Sequence, residues 1–245
     1  MLTHELISYL DDLLQVSEFS DYCPNGLQVA GHAEITKIVT GVSISQELIE
    51  HAVDVNANAI LVHHGLFWQN DDPRIIGVKK QRLQTLLTNN INLIAYHLPL
   101  DFHSVYGNNI IFAQKLGIEV ADAIPPFYCG KLSQEYSTEQ LAQHIQECLG
   151  QQPVCIVAGG HKISTVAWCV GKAPDFIEQV ANQNIDAYIT GEISEASVYI
   201  ARESGVHLFA VGHYASERYG VQALGKHLAE RYQASVDFID IPNPI

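Results

Sequence analysis

The sequence has few of the residues that mark disulfide-linked, nucleic-acid-binding or membrane proteins. Its five cysteines are odd in number and include no Cys-x-x-Cys pair, which argues against a disulfide framework and against a thiolate zinc site. Only 13 basic residues stand against 27 acidic ones, and the net charge is −14. We therefore expect reduced, mostly packed cysteines and no extended nucleic-acid or anionic membrane partner.

Signals for membrane insertion and for several common catalytic sites are also absent. No apolar run approaches the roughly 18 residues that span a bilayer, and the N-terminus has no basic segment. These absences predict a cytoplasmic protein. Because no Gly-x-Ser-x-Gly, Gly-x-x-x-x-Gly-Lys or Gly-x-Gly-x-x-Gly motif is present, metal-activated water is the leading chemistry. A small anionic substrate fits this chemistry despite the acidic chain, because metal ions invert the local charge.

Histidine is abundant, with 12 residues in 245, and two adjacent imidazoles follow the most apolar run. The run from Ala59 to Val62 has the pattern of a central strand buried on both faces, and His63 and His64 come at its end. In open α/β sheets the ligand crevice lies beyond the carboxyl ends of such strands. Strand-end histidines bonded to backbone carbonyls are the alternative.

The order of the predicted elements indicates a parallel sheet. Lys37–Val42 is predicted as a strand, Ser45–Val55 as a helix capped by Ser45 or Ser43, and Ala59–Val62 as the next strand. An opening amphipathic helix is predicted from Thr3, as its N-cap, to Val16.

An internal repeat sets the predicted domain organisation. Lys37–His64 matches Thr165–Glu192 in pattern, without gaps, at an offset of 128 residues. We therefore predict an α/β fold of two related subdomains from an internal duplication, each with a central mixed or mostly parallel sheet flanked by helices. Residues 1–125 form the first and residues 126–245 the second, joined by a Pro/Gly-bearing linker at Ile124–Gly130. The tail from Val236 is predicted as an edge strand that packs back on the first subdomain.

Each half continues to a further strand that ends in a histidine. Asn92–His97 is followed by Asp101, and Val206–His213 by Glu217, with the same spacing from histidine to carboxylate. Imidazoles and carboxylates together suit two divalent ions, because one carboxylate can bridge both. The alternative is that the histidines end strands and the carboxylates are solvated helix caps.

Two further residues are weaker candidates. His103 follows the Asp101 loop, and it faces either the substrate or the residues around the metals. Glu192 is the counterpart of His64 in the repeat and either supports the site or begins a helix.

Five motifs stand out along the chain: Asp21–Val29, Leu61–Gly65, His97–Asp101, Val211–Glu217 and Phe238–Pro244. Together they resemble the NIF-three (NGG-one interacting factor three) family, whose members carry the name GTP cyclohydrolase I type 2 homologue. They occur in the family's order from about residue 5 to the C-terminus. Cys23 and Pro24 replace the more usual residues of the first motif.

The resemblance implies two α/β subdomains, a dinuclear metal site between them and a ring-shaped homohexamer. It assigns the metal ligands by position as His63, His64, Asp101, His213 and Glu217, with Glu217 as the bridge and His97 as a near neighbour. Zinc, manganese, iron, cobalt and nickel all suit these ligands.

Two functions follow from this assignment. One is a metal-dependent hydrolase acting on a small-molecule substrate, a nucleotide or related heterocycle, with His97 or His103 as the proton-transfer group; sanitation of damaged nucleotides is one form of it. The other is a binding or regulatory protein whose metals stabilise the fold.

Overall fold

The computed structural model describes residues 1–124 and 126–245 and divides into two compact units. The first comprises Met1–Gly107 and Arg218–Ile241, and the second comprises Asn108–Glu217 and Pro242–Ile245. The boundary predicted near residue 125 falls at Pro125, which lies outside the described residues. The contact grouping instead separates Gly107 from Asn108 and returns the C-terminal strand to the first unit.

The first unit alternates helices and strands along most of its length. Its elements before the division are α1 (Thr3–Leu13), β1 (Gly26–Val29), β2 (Lys37–Ser43), α2 (Gln46–Asp54), β3 (Ala59–His64), α3 (Gly77–Thr88), β4 (Asn92–Ala95) and α4 (Leu98–Phe102). After the second unit come α9 (His213–Tyr232), whose first residues belong to that unit, and β11 (Ser235–Phe238).

The second unit follows the same alternation after an opening hairpin. Its elements are α5 (Asn108–Leu116), β5 (Ile118–Ile124), β6 (Phe127–Tyr136), α6 (Thr138–Leu149), β7 (Val154–Ile156), β8 (Ile163–Cys169), α7 (Ile177–Val180), β9 (Ala187–Thr190), α8 (Glu195–Ser204) and β10 (His207–Ala210).

The two sheets share a core arrangement, which confirms the predicted mixed α/β class. The first has the order β1-β4-β3-β2-β11, in which β2, β3, β4 and β11 pair in parallel and β1 is antiparallel. The second has the order β5-β6-β8-β9-β10-β7, with β8, β9 and β10 parallel. In each, three consecutive parallel strands are flanked by an antiparallel strand that precedes them in the chain (β1 or β7), as duplication would produce.

Matched polar contacts at the predicted offset of 128 residues extend this similarity to individual side chains. The Asn58 side chain accepts hydrogen bonds from the Thr36 and Lys37 backbone N–H groups, and Asp186 accepts the equivalent bonds from Ser164 and Thr165. A left-handed asparagine precedes each of these strands, Asn56 with φ 54° and Asn184 with φ 52°. These contacts fix the start of the parallel strands in both units.

A second matched pair lies at the third parallel strand. Asn92 accepts a hydrogen bond from the Gly31 N–H at 2.8 Å, and buried His207 accepts one from the Ala158 N–H at 3.3 Å. His207 is thus a packing residue.

Apolar residues of the strands and helices form a separate core in each unit. In the first, Val39, Ile60 and Val62 pack with Leu48 of α2 and Leu86 of α3. Burial of each such side chain stabilises the fold by about 1.5–3 kcal/mol. This packing holds β3 at the centre of its sheet, with Ala59 to His63 buried.

Three local predictions are resolved by the structure. Ser45 is the N-cap of α2, accepting a hydrogen bond from Leu48 N–H. The prediction of Thr3 as a cap is wrong, because Thr3 is the first helical residue and its hydroxyl donates to the His32 carbonyl at 2.6 Å. The linker prediction is wrong for residues 127–130, because their side chains are buried in β6, which pairs with β8.

The predicted C-terminal edge strand is confirmed. β11 pairs in parallel with β2 at the edge of the first sheet. Within the described residues, no helix is long and apolar enough to cross a bilayer.

Candidate metal centre

Three imidazoles meet at the carboxyl end of the first unit's sheet. His63 and His64 are the last residues of β3, and His97 follows β4 directly before α4. Because β3 and β4 are parallel neighbours, their ends deliver these rings to the same edge. A potential ligand atom from each ring lies within 4.8 Å of those from the other two. The structure therefore brings together three of the predicted site histidines.

Asp101 joins this group as a buried carboxylate. It lies in α4, one helical turn after His97, and is 5% exposed, so it is not the solvated cap of the alternative prediction. Its Oδ1 atom is 3.4 Å from Nε2 of His63, which is fully buried.

The second unit supplies a separate histidine and carboxylate pair. His213 begins α9, and Glu217 lies one turn later with 3% exposure. His213 Nε2 is 2.9 Å from Glu217 Oε2, while its Nδ1 is 2.6 Å from Oε1 of Glu192. Glu192 lies just after β9 and before α8, which begins at Glu195, so its role is to support His213 rather than to start a helix.

Each of the four imidazoles is held by a hydrogen bond at Nδ1. The partners are the Tyr96 carbonyl for His63 (2.9 Å), Ser43 Oγ for His64 (2.9 Å), Asp21 for His97 (2.9 Å) and Glu192 for His213 (2.6 Å). Histidines that bind metals through one nitrogen almost always bond the other to a carboxylate, carbonyl or similar group. This repeated arrangement leaves Nε2 of each ring as the nitrogen that can bind a metal ion or take up a proton.

The distances between imidazoles and carboxylates fit a shared cation. With Nδ1–H of His63 donating to a carbonyl, its Nε2 carries a lone pair, and Asp101 presents a second acceptor 3.4 Å away. Two ligand atoms about 2.1 Å from a shared tetrahedral ion lie roughly 3.4 Å apart. The residues present therefore fit a divalent metal ion.

At His213, a proton on the ring can take the place of a cation between the imidazole and its two carboxylate neighbours. Burial lowers the pKa of His213. Hydrogen bonds to Glu217 and Glu192, together with the negative charge of these carboxylates, outweigh burial and raise the pKa to about 9. In the absence of metal, His213 is thus an imidazolium ion between two carboxylates at neutral pH.

Glycine at position 171 makes room for the Glu217 carboxylate. Gly171 follows β8 with φ +68°, and a Cβ atom there would lie 1.9 Å from Glu217 Oε1 and 3.3 Å from His213 Nε2. The Gly171 N–H donates to Ser216 Oγ at 3.0 Å, which ties this backbone to the helix that carries Glu217. Any larger residue must therefore displace the carboxylate.

Asp21 and Cys23 lie beside His97 on the loop before β1. Their potential ligand atoms and one of His97 lie within 4.8 Å of one another. Burial, together with the charge of Asp21, raises the pKa of the Cys23 thiol to about 12, so the thiolate needed for metal binding is disfavoured. Burial raises the pKa of Asp21. Hydrogen bonds from His97 and Asn25 outweigh burial and hold this pKa well below its ordinary value.

The structure gives His103 a backbone role. Its Nδ1 accepts hydrogen bonds from the Val105 and Tyr106 N–H groups at 3.1 and 2.9 Å, and its ring stacks on Tyr106. Burial lowers the pKa of His103, partly offset by a hydrogen bond to the Leu13 backbone. His103 is in none of the potential metal-ligand groups found among the described residues.

Asp21 is the main addition to the predicted site, whereas Glu192 is a weaker candidate of the sequence analysis. Asp21 lies in the first recognised motif, but its partner is 76 residues away, and nothing local indicates the pairing. Glu192 is signalled by the internal repeat, which places it opposite His64.

We predict that Gly171→Ala weakens metal binding by displacing Glu217. The expected loss is 10- to 100-fold in Zn²⁺ affinity, as for other changes to groups that position ligands, together with about 1–2 kcal/mol of left-handed backbone strain. Isothermal titration with Zn²⁺ and urea unfolding measure the two effects.

Gly205→Ala is the matched control, because Gly205 also has positive φ (+77°) but a Cβ there would meet nothing within 4 Å. It should lose comparable stability and retain Zn²⁺ affinity. Equal Zn²⁺ affinity in both variants would contradict the role assigned to Gly171.

We predict that metal-free protein loses stability as the pH rises from about 6.5 to about 9, because folding raises the pKa of His213 to about 9. The protonated His213 ring stabilises the fold fully at pH values below the pKa of His213 in the unfolded chain. This stabilisation is lost once the pH exceeds the pKa of His213 in the folded protein. Urea unfolding in the presence of a chelator at several pH values measures this loss of stability. His213→Gln should abolish the part of the pH dependence that arises from His213. A wild-type profile identical to that of the variant would refute the assignment.

Comparisons with known proteins agree with this description. The model of the Duf34/NIF3 (NGG1p interacting factor 3) family matches residues 1–244. A Pseudomonas aeruginosa protein named GTP cyclohydrolase 1 type 2 homolog is 44% identical over 245 residues, covering 98% of this chain and 97% of its own.

Two solved structures share the fold over full length. One, described as protein ybgI of unknown function, has a TM-score of 0.98 and 45% identity, with 100% of both chains covered. The other, TTHA1606 from Thermus thermophilus, has a TM-score of 0.90 and 31% identity, again with 100% of both chains covered. The chain therefore belongs to the Duf34/NIF3 family.

Proposed function

We propose that this chain is a dinuclear metal-dependent hydrolase. The proposed ligands of two divalent ions are His63, His64, Asp101, His213 and Glu217, with Glu217 as the bridge. The observation that carries the proposal is the Nδ1 hydrogen bond made by each site imidazole, which presents Nε2 as a ligand atom. Imidazole and carboxylate ligands suit zinc, manganese, iron, cobalt and nickel.

Proton transfer is assigned to His97. Divalent ions, when bound, supply Lewis acidity and lower the pKa of water toward neutrality. His63 and His64 cannot then act as bases, because their Nε2 lone pairs are committed. Nδ1 of His97 is occupied by its contact with Asp21, which leaves Nε2 as the nitrogen that can take up a proton, whereas both nitrogens of His103 are engaged by backbone groups.

A nucleotide or related heterocycle is the proposed substrate class. The relatives' name, GTP cyclohydrolase 1 type 2 homolog, supports this class, and hydrolysis of damaged nucleotides is one form of it. Tyr22 and Trp68 pack edge-on against His97, with ring centroids 5.0 and 5.2 Å away, and Tyr22 is 51% exposed. Such aromatic rings stack on planar bases.

A binding or regulatory protein with structural metals is the second candidate. The depth of the donors favours it, because His63 is fully buried and Glu217 is 3% exposed, and structural metal sites are normally closed. Turnover by the metal-loaded protein distinguishes the two functions.

We propose that the chain assembles as a homohexamer, as the family resemblance implies. Exposed Ile75, Ile76 and Val78 supply apolar surface for self-association, at 57–61% exposure. Light scattering at micromolar concentration should give a mass near six times the 27.1 kDa chain. A monomeric mass would contradict the assembly.

We predict close to two divalent ions per chain by elemental analysis. Glu217→Ala should lose both ions because its carboxylate bridges them, whereas His64→Ala should mainly weaken one. Full occupancy in the Glu217 variant would refute the bridge.

We predict that His97→Gln keeps both ions but lowers turnover by about 10²–10⁴, the range for a general acid–base group. The assay is a panel of nucleotides, phosphoesters and pterin precursors offered to metal-loaded protein. Loss of ions from this variant would make His97 a ligand, and full activity would remove its proton-transfer role. If wild type holds two ions and hydrolyses nothing on the panel, the second candidate is favoured.

A further inference from the structure

The Asp21 carboxylate has four nitrogen donors around it. Oδ1 accepts from the Tyr22 N–H at 2.7 Å and from His97 Nδ1 at 2.9 Å, while Oδ2 accepts from the Leu98 N–H at 3.0 Å and from Asn25 Nδ2 at 2.9 Å. Both oxygens are therefore engaged with protein groups, although Asp21 belongs to a potential metal-ligand group with Cys23 and His97.

Asn25 completes a clamp on His97 from the same loop. Its Oδ1 accepts the His97 backbone N–H at 2.7 Å while its Nδ2 donates to Asp21. The ring and the backbone of His97 are thus both held by the loop that carries Asp21. Tyr22 and Trp68 pack against the His97 ring at 71° and 84°, which opposes rotation of the imidazole.

An ionised carboxylate can only accept hydrogen bonds, and this fixes the proton on His97. The hydrogen in the contact between Asp21 and Nδ1 must belong to His97, because the other three partners of the carboxylate are also donors. The neutral ring then carries its lone pair on Nε2. Without this contact either neutral tautomer is available.

We propose that Asp21 is a positioning residue that holds His97 as the Nδ1–H tautomer, so that Nε2 is the proton acceptor for the reaction. The inference rests on the proposed function for the use of Nε2, but the tautomer itself is independent of it. It also accounts for the Asp21 to Asn25 stretch of the first sequence motif, which the metal ligands leave without a role.

Asp21→Asn tests the assignment with little change of shape. The carboxylate of Asp21 presents two acceptor oxygens to the four nitrogen donors. The amide that replaces it presents one acceptor oxygen and one NH₂ group, which is itself a donor. If the oxygen serves Leu98 and Asn25, the NH₂ faces the Tyr22 N–H and His97, and the contact with His97 favours Nδ1 as acceptor, with the proton on Nε2. The opposite orientation sets the NH₂ against Leu98 N–H and Asn25 Nδ2.

The tautomer can be read directly by two-bond ¹H–¹⁵N correlation on metal-free, ¹⁵N-histidine-labelled protein at pH 8. His97 is assigned by the signal absent from His97→Gln. We expect the Nδ1–H form in wild type and mainly the Nε2–H form in Asp21→Asn. An Nε2–H ring in wild type, or the same tautomer in both proteins, would overturn the proposal.

Asp186→Asn is the matched control. Asp186 also accepts several backbone and hydroxyl donors, touches no histidine in those contacts, and has asparagine, Asn58, at its counterpart in the first unit. It should leave the His97 tautomer unchanged. A tautomer change in Asp186→Asn equal to that in Asp21→Asn would attribute the effect to general destabilisation and overturn the proposal.

Zinc content and turnover separate positioning from ligation. Asp21→Asn should retain the Zn²⁺ content of wild type and lose 10- to 100-fold in kcat, with KM little changed, against any compound of the panel that wild type hydrolyses. Loss of Zn²⁺ with an unchanged tautomer would show that Asp21 acts on the ions directly and overturn the proposal. Wild type that holds no Zn²⁺ would refute the metal function above, while the tautomer measurement would still decide the role of Asp21.

Discussion

A hydrogen bond at Nδ1 of each site histidine is the contact on which the candidate metal centre depends. An imidazole on a strand end or helix start can rotate about its side-chain torsions and can carry its proton on either nitrogen. A carbonyl or carboxylate acceptor removes both freedoms for His63, His97 and His213, whereas the Ser43 hydroxyl orients the His64 ring but can either donate or accept. The partners come from different places in the chain: a carbonyl, a hydroxyl and two carboxylates.

The two units use one backbone frame for different chemistry. The polar contacts that start the parallel strands are the same in both, with Asn58 and Asp186 in equivalent positions. The residues after the second parallel strand differ, because His64 in the first unit corresponds to Glu192 in the second. One half therefore presents a candidate metal ligand, His64, where the other presents a carboxylate that is hydrogen-bonded to a candidate ligand, His213. Duplication of the frame with divergence at strand ends accounts for this difference.

Much of the site was predictable because its residues follow strands with a clear apolar pattern. His63, His64 and His97 come directly at or after buried runs, and parallel strands bring such ends to one edge of the sheet. Asp101 and Glu217 follow from their equal spacing after a histidine. The predicted linker failed at residues 127–130 because proline and glycine signal turns locally, whereas burial of the adjacent aromatic residues depends on pairing with a distant strand. Thr3 failed as a cap for a similar reason, since its hydroxyl bonds to a carbonyl 29 residues away.

The sequence by itself determined the α/β class, the repeat and which histidines and carboxylates are candidate ligands, because apolar periodicity and residue spacing are local properties of the chain. Only the tertiary structure decided which acceptor holds each imidazole. Asp21 and His97 are 76 residues apart and His213 and Glu192 are 21 apart, so these pairings arise from strand order and loop path. Burial was decided in the same way: Asp101 and Glu217 have the spacing of exposed caps, but packing encloses both carboxylates, and a buried carboxylate needs a hydrogen-bond donor, a proton or a cation beside it.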